Sequence, residues 1–196
     1  RYVVSASETT EADYNSLLTY TPYIWAEVCL HSAPGHHEFT HLELQPDMTW
    51  AQVIEGYIDF LDVQQNGYRA LFYHVQGCSA CRYSVNSNLG TAYLFADDGL
   101  AVIGNTTVGS HDQATLHYML SKGMNIGQAY MMSQRLHMKP GWVTSIPVNL
   151  GSAQPKRYYQ QTLLGDPTLR PEVFTPHAEP VSAAKQPDMG VLRLAL

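Results

Sequence analysis

Three short segments with almost no polar side chains, separated by stretches of helical or loop character, set the strongest constraint on this chain. They are "YIWAEVCL" (residues 23–30), "ALFYHV" (70–75) and "GLAVIGN" (99–105). Each is too short for a buried helix and rich in aromatic and β-branched residues, so each reads as a strand, the second and third covered on both faces. The segments between them supply the connections. "SETTEADYNSLLTY" carries Ser/Thr followed by glutamate at capping-box spacing and then apolar residues, predicting a helix near residues 10–20. "MTWAQVIEGYIDFL" places apolar residues three and four apart behind Thr49, predicting a helix ended by the "QQNGY" turn. A short helix is expected in "NLGTAYLFAD", and two more over residues 111–121 and 125–138, split by "KGMN". By its proline, glycine and histidine content, "HSAPGHHEFTHLELQPD" reads as a loop. Beyond Lys139 come loops and a strand or two, with "GDPTLRP" as a turn, and the proline- and alanine-rich tail reads as a linker or arm.

Strand, helix, strand, helix is the order that builds a mainly parallel sheet with helices on its faces. The expectation is one α/β domain over residues 1–175, followed by the arm at 176–196. No repeat of 20 to 50 residues interrupts it.

Charged residues make up only 14% of the chain and the net charge is -6, so no basic surface exists for nucleic acid or anionic lipid. No apolar run reaches the roughly 18 residues of a membrane-spanning helix. Low lysine content and a surface rich in Ser, Thr, Asn, Gln and Tyr point to an extracellular or cell-envelope location. The three cysteines, Cys29, Cys78 and Cys81, cannot all pair within one chain, so this is not a disulfide scaffold.

In open parallel sheets, ligands bind beyond the carboxyl ends of the strands. The first strand ends at "CLHS", placing His31 at that edge, and the second at "VQGCS", placing Cys78 there too. If the two strands are neighbours, an imidazole and a thiol come side by side, which is what a cysteine nucleophile needs. Gly77 permits a tight exit from the strand, and amides near Cys78 and His31 could donate to an oxyanion.

The segments "LHSAPGHHEF", "FYHVQGCSACRY", "GLAVIGNTTVGS", "GMNIGQAY" and "LLGDPTLRP", in this order, resemble the gingipain-type cysteine peptidases of the caspase-like fold. The likeness spans roughly residues 23–172, and its histidine-to-cysteine spacing is close to the roughly 50 residues of caspases. It implies a caspase-like three-layer sandwich and an endopeptidase acting on a protein or peptide substrate, with cleavage after basic residues in the better-known members. It implies Cys78 as nucleophile, His31 as its base or thiolate partner, and the amides of Cys78 and Ser32 as the oxyanion hole. Such chemistry requires no cofactor and is compatible with a structural calcium ion. Where the family has a histidine-glycine pair this chain has His31-Ser32, and "GHH" at 35–37 offers His37 or His36 as alternative partners. Few residues precede the histidine strand, so the leading strands of such a sheet are expected from an upstream segment of a longer secreted or envelope-associated precursor, or from a second chain.

Other readings compete for the same residues. Cys78 and Cys81 form a C-x-x-C, which would serve redox chemistry or half a zinc site. His31, His36, His37 and His41 could gather round a metal. "GNTTVGS" lacks the lysine of a phosphate loop and reads as a strand exit at which Thr106 or Thr107 lines a substrate pocket. Asn105 heads a glycosylation sequon. Asp166 reads as a turn-former, with Glu27 and Glu38 as further candidates for an acid that orients a histidine or receives a basic side chain. A catalytically silent caspase-like module, serving binding or assembly, is the alternative to a peptidase.

Overall fold

The structure, a computed structural model, describes residues 2–4, 10–108, 113–137, 161–172 and 190–195. Strand β1 (Tyr2–Val4) precedes helix α1 (Glu11–Tyr20), strand β2 (Tyr23–Cys29), a hairpin sheet of β3 (His31–Ala33), β4 (His36–Leu44) and β5 (Trp50–Asp59), and helix α2 (Phe60–Gln65). Strand β6 (Ala70–Val75), helix α3 (Leu89–Leu94), strand β7 (Ala101–Asn105), helices α4 (Gln113–Ser121) and α5 (Ile126–His137), and strands β8 (Gln161–Gly165) and β9 (Gly190–Ala195) follow.

The main sheet has the order β1-β9-β2-β6-β7-β8. Its centre, β2-β6-β7, is parallel, as continuous apolar strands joined by crossovers require, and β8 runs antiparallel along β7. The fold is therefore mixed α/β with a mainly parallel sheet between helices. Side-chain alternation divides each central strand between two cores. Ala26, Val28, Tyr73, Val75 and Val102 face α1, α2, α3 and the hairpin sheet. Trp25, Phe72, Ala101 and Ile103 face α4 and α5, packing on Leu116, Leu120, Ile126 and Ala129. Full burial of each large apolar side chain contributes about 1.5–3 kcal/mol. Among the described residues, no helix is long and apolar enough to cross a membrane.

Helix boundaries follow local chemistry. Thr10 caps α1, its hydroxyl accepting from the Asp13 amide while the Asp13 carboxylate accepts from the Thr10 amide. Asp59 and Asp62 form the same reciprocal box at α2, with Asp59 Oδ1 accepting from Leu61 and Asp62 amides at 2.7 and 3.0 Å. Past α2, Gly67 takes φ +61, the left-handed conformation that ends many helices.

Two stretches depart from the sequence reading. The expected loop over residues 31–47 is largely strand: β3 and β4 pair antiparallel across a Pro34-Gly35 turn. Within "HHEFTHLEL" the alternate residues His37 and Phe39 are buried, and this period of two, masked by polar residue types, decides the outcome. The helix expected behind Thr49 is instead strand β5, paired along its whole length with β4. Its spacing suits a helix, but Val53, Ile54 and Ile58 are β-branched and Gly56 weakens a helix interior, while the waiting edge of β4 satisfies every second backbone group. Helix begins only at Phe60, behind the Asp59 cap. At the other end, residues 190–195, read as part of an arm, form β9 between β1 and β2, so these segments of the chain itself extend the sheet beyond β2.

Candidate functional site

Parallel pairing of Val28 with Val75 brings the exits of β2 and β6 to one rim, and the Gln76 amide donates back to the Val28 carbonyl at 2.7 Å. The chain then passes through Gly77, where a Cβ would overlap the Ser32 hydroxyl and lie 3.1 Å from the Leu30 carbonyl oxygen. Glycine is required here because the His31-Ser32 segment occupies the adjoining space. Cys78 follows, half-buried, and Ser79 adopts φ +55, a left-handed conformation that few non-glycine residues take.

The turn carrying Cys78 is tied on two further sides. The Ser79 amide donates to the Thr107 carbonyl at 2.9 Å and the Cys81 amide to the Asn105 carbonyl at 2.8 Å, fastening it to the exit of β7. The Gly90 amide donates to the Ala80 carbonyl at 3.0 Å, fastening it to α3. Among the described residues, the Cys78 amide has no acceptor. Thr106 is half-buried and Thr107 exposed beside this turn.

Cys81 is a different kind of thiol. Its sulfur fills the space that a side chain at Gly90 or Gly104 would need, and burial pushes the thiol up to about 12. Cys78 and Cys81 are both free, so the C-x-x-C is not joined.

The three candidate histidines part company. His37 is fully buried, with Nδ1 2.6 Å from Ser32 Oγ and Nε2 2.8 Å from the Tyr93 hydroxyl. Tyr93 in turn bonds the buried Tyr14 hydroxyl, and Ser32 Oγ donates to the Leu30 carbonyl at 3.2 Å. A neutral imidazole protonated on Nδ1 satisfies every member: Tyr14 donates to Tyr93, Tyr93 to Nε2, Nδ1 to Ser32, and Ser32 to Leu30. Burial, with the neighbouring His36 charge second, lowers His37 to about 3, in keeping with that neutral state. Both nitrogens are thus committed away from a thiol. His36, on the opposite face of β4, lies 3.3 Å from Glu38 through Nε2. His31 is exposed at the start of β3, directly across from Glu38 in the β3-β4 register.

Other candidates resolve as follows. His41 pairs with Glu55 at 3.0 Å, and among the described residues no metal-ligand grouping contains His31, His36, His37 or His41. Asn105 is fully buried, its amide donating to the Gln76 carbonyl at 3.2 Å, so its sequon is closed to modification. Asp166 forms a turn, accepting from the Thr168 hydroxyl and amide, which hold its carboxyl below the usual range. Glu27 lies on the α4 side of the sheet beside His74 and His117, two histidines the sequence reading did not single out. A charged and an ionisable residue in the middle of otherwise apolar strands was the available signal. Comparison of the chain with family models, with curated proteins and with solved structures returned no match.

Proposed function

We propose that this chain is a cysteine endopeptidase of the caspase-like, gingipain type, with Cys78 as nucleophile and His31 as its partner. The observation that carries the reading is the meeting of the β2 and β6 exits at Gly77 and Ser32. It sets the turn carrying the half-buried Cys78 against the strand that begins with the exposed His31, while Cys81 and His37 are sealed in the core.

His31 takes the thiol proton, and the Cys78 thiolate attacks the scissile carbonyl carbon. The oxyanion so formed accepts from the Cys78 amide, which has no acceptor among the described residues. The imidazolium returns its proton to the leaving amine as the C–N bond breaks, leaving a thioester. Water, deprotonated by His31, hydrolyses the thioester and regenerates the thiol. Glu38, across the register from His31, is the acid that orients the ring, and Thr106 and Thr107 line the substrate side. A secreted or envelope setting and a preference for basic side chains before the cleaved bond belong to the same reading.

A second reading, a silent binding or assembly module, is favoured by one observation. Ser32 stands where a peptidase of this type has glycine, and its hydroxyl is bonded to His37. Alkylation kinetics separate the two. In the peptidase, iodoacetamide labels Cys78 much faster than Cys29 or Cys81, His31→Ala slows that labelling, and fluorogenic peptides with Arg or Lys before the bond are cleaved. Labelling of Cys78 no faster than that of Cys29 and unchanged by His31→Ala, with no cleavage, means the silent module.

A further inference from the structure

Glu27 of β2 and His74 of β6 are register partners on the face of the sheet that packs against α4. They are 2% and 1% exposed, amid Trp25, Phe72 and Ile103, where a charged side chain is expensive without compensation. From α4, His117 reaches the same point with 13% of its side chain exposed.

The distances are the telling feature. Glu27 Oε1 lies 3.5 Å from His74 Nδ1 and 3.6 Å from His117 Nε2, and one ligand atom from each of the three residues falls within 4.8 Å of the others. Neither ring nitrogen of His74 is hydrogen-bonded, although the ring is fully enclosed. Both contacts are long for a hydrogen bond, and the spacing suits an ion held between the three groups. A tetrahedral ion with bonds of about 2.0–2.1 Å holds its ligands about 3.3 Å apart, close to both separations.

We propose that Glu27, His74 and His117 bind a divalent transition-metal ion, with zinc the best match to the ligand set. Two imidazoles and one carboxylate suit zinc and its neighbours, whereas calcium takes six to eight oxygens. Among the described residues the site has three protein ligands, and the partly open His117 side is where a fourth ligand would enter. The surroundings fit the role of a supporting shell. Gln76 Nε2 donates to Glu27 Oε1 at 3.4 Å, and the Trp25 ring stands edge-on to His117 and His74 at 5.8 and 6.3 Å. The ion would join β2, β6 and α4, fixing α4 on the sheet independently of any peptidase activity at the rim.

The test is a titration of the full chain, first stripped with chelator, with Co2+ and then Zn2+. Binding should saturate at one ion per chain with the visible ligand-field absorption of a four-coordinate nitrogen-oxygen site, free of thiolate charge-transfer bands, and Zn2+ should displace it. Zn2+ should also raise the thermal midpoint. His117→Ala, at the partly exposed corner, and Glu27→Gln should each weaken affinity by more than the roughly 10–100-fold typical of losing an outer-shell partner. Far-UV circular dichroism of both variants in chelator establishes that they are folded. Absence of saturable binding in the wild type, thiolate bands in the cobalt spectrum, or unaltered affinity in a folded His117→Ala overturns the proposal.

Discussion

The hydroxyl of Ser32 occupies the space into which a side chain at Gly77 would have to grow. With the Gln76–Val28 hydrogen bond, this contact holds the exits of β2 and β6 together. Gly77→Ala should therefore cost about 1–3 kcal/mol by overpacking and slow alkylation of Cys78. Ser32→Gly in that background should recover part of the loss, whereas Ser32→Ala should not, because the Ser32 Cβ is also in the way. Urea unfolding of the wild type, the three single variants and the two double variants, read as double-mutant cycles, checks the coupling.

In the chain of hydroxyls and imidazole beneath the hairpin, Tyr14, Tyr93 and His37 are fully buried and Ser32 half-buried, so a missing member leaves buried neighbours unpaired. Tyr93→Phe strips partners from both His37 Nε2 and Tyr14. A loss of about 1–3 kcal/mol is expected in chemical denaturation, with little change in shape.

His37 also makes stability depend on pH. Its folded value is about 3 against about 6.5 when exposed, because burial opposes the imidazolium. Between those values the unfolded chain binds the extra proton. The contribution is therefore complete above about pH 6.5 and is lost as pH falls toward 3, at up to about 1.4 kcal/mol per pH unit. His37→Phe should be less stable near neutrality yet show a flatter profile over this window. Parallel profiles for the two proteins would contradict the assignment.

Cys81 should behave as a reporter of opening. With its sulfur packed against Gly90 and Gly104 and its thiol pushed up to about 12, it should resist alkylation in the native protein even in mild alkali. Peptide mapping across a urea series should show Cys81 modified only along the global transition and Cys78 modified before it.

How much of this was legible in the sequence differs by segment. "ALFYHV" and "GLAVIGN" read correctly as buried strands because both faces are covered and few polar residues confuse the pattern. A Ser/Thr and glutamate signal announced α1 by local chemistry, although the box that forms pairs Thr10 with Asp13, and the Asp166 turn was announced likewise. The hairpin failed for the opposite reason. His37 and Phe39 share the buried side of β4, but a histidine carries no apolar signal, so the alternation vanished into an apparent loop. That the exits of β2 and β6 would meet at one rim was foreseeable from strand order, since the two are parallel neighbours. That His37 would be withdrawn from it was not, because the Ser32 and Tyr93 partners come from a separate strand and helix. Glu27, His74 and His117 likewise lie far apart in sequence and meet only when two strands and α4 are assembled.

The pairing of β2 with β9 has a consequence during synthesis. Residues 23–29 and their β6 neighbour leave the ribosome long before residues 190–195, so until those residues emerge the outer side of β2 offers an open row of amides and carbonyls. The nascent polypeptide is thus a template for any passing extended peptide, and β9 acts as the latch that retires that hazard.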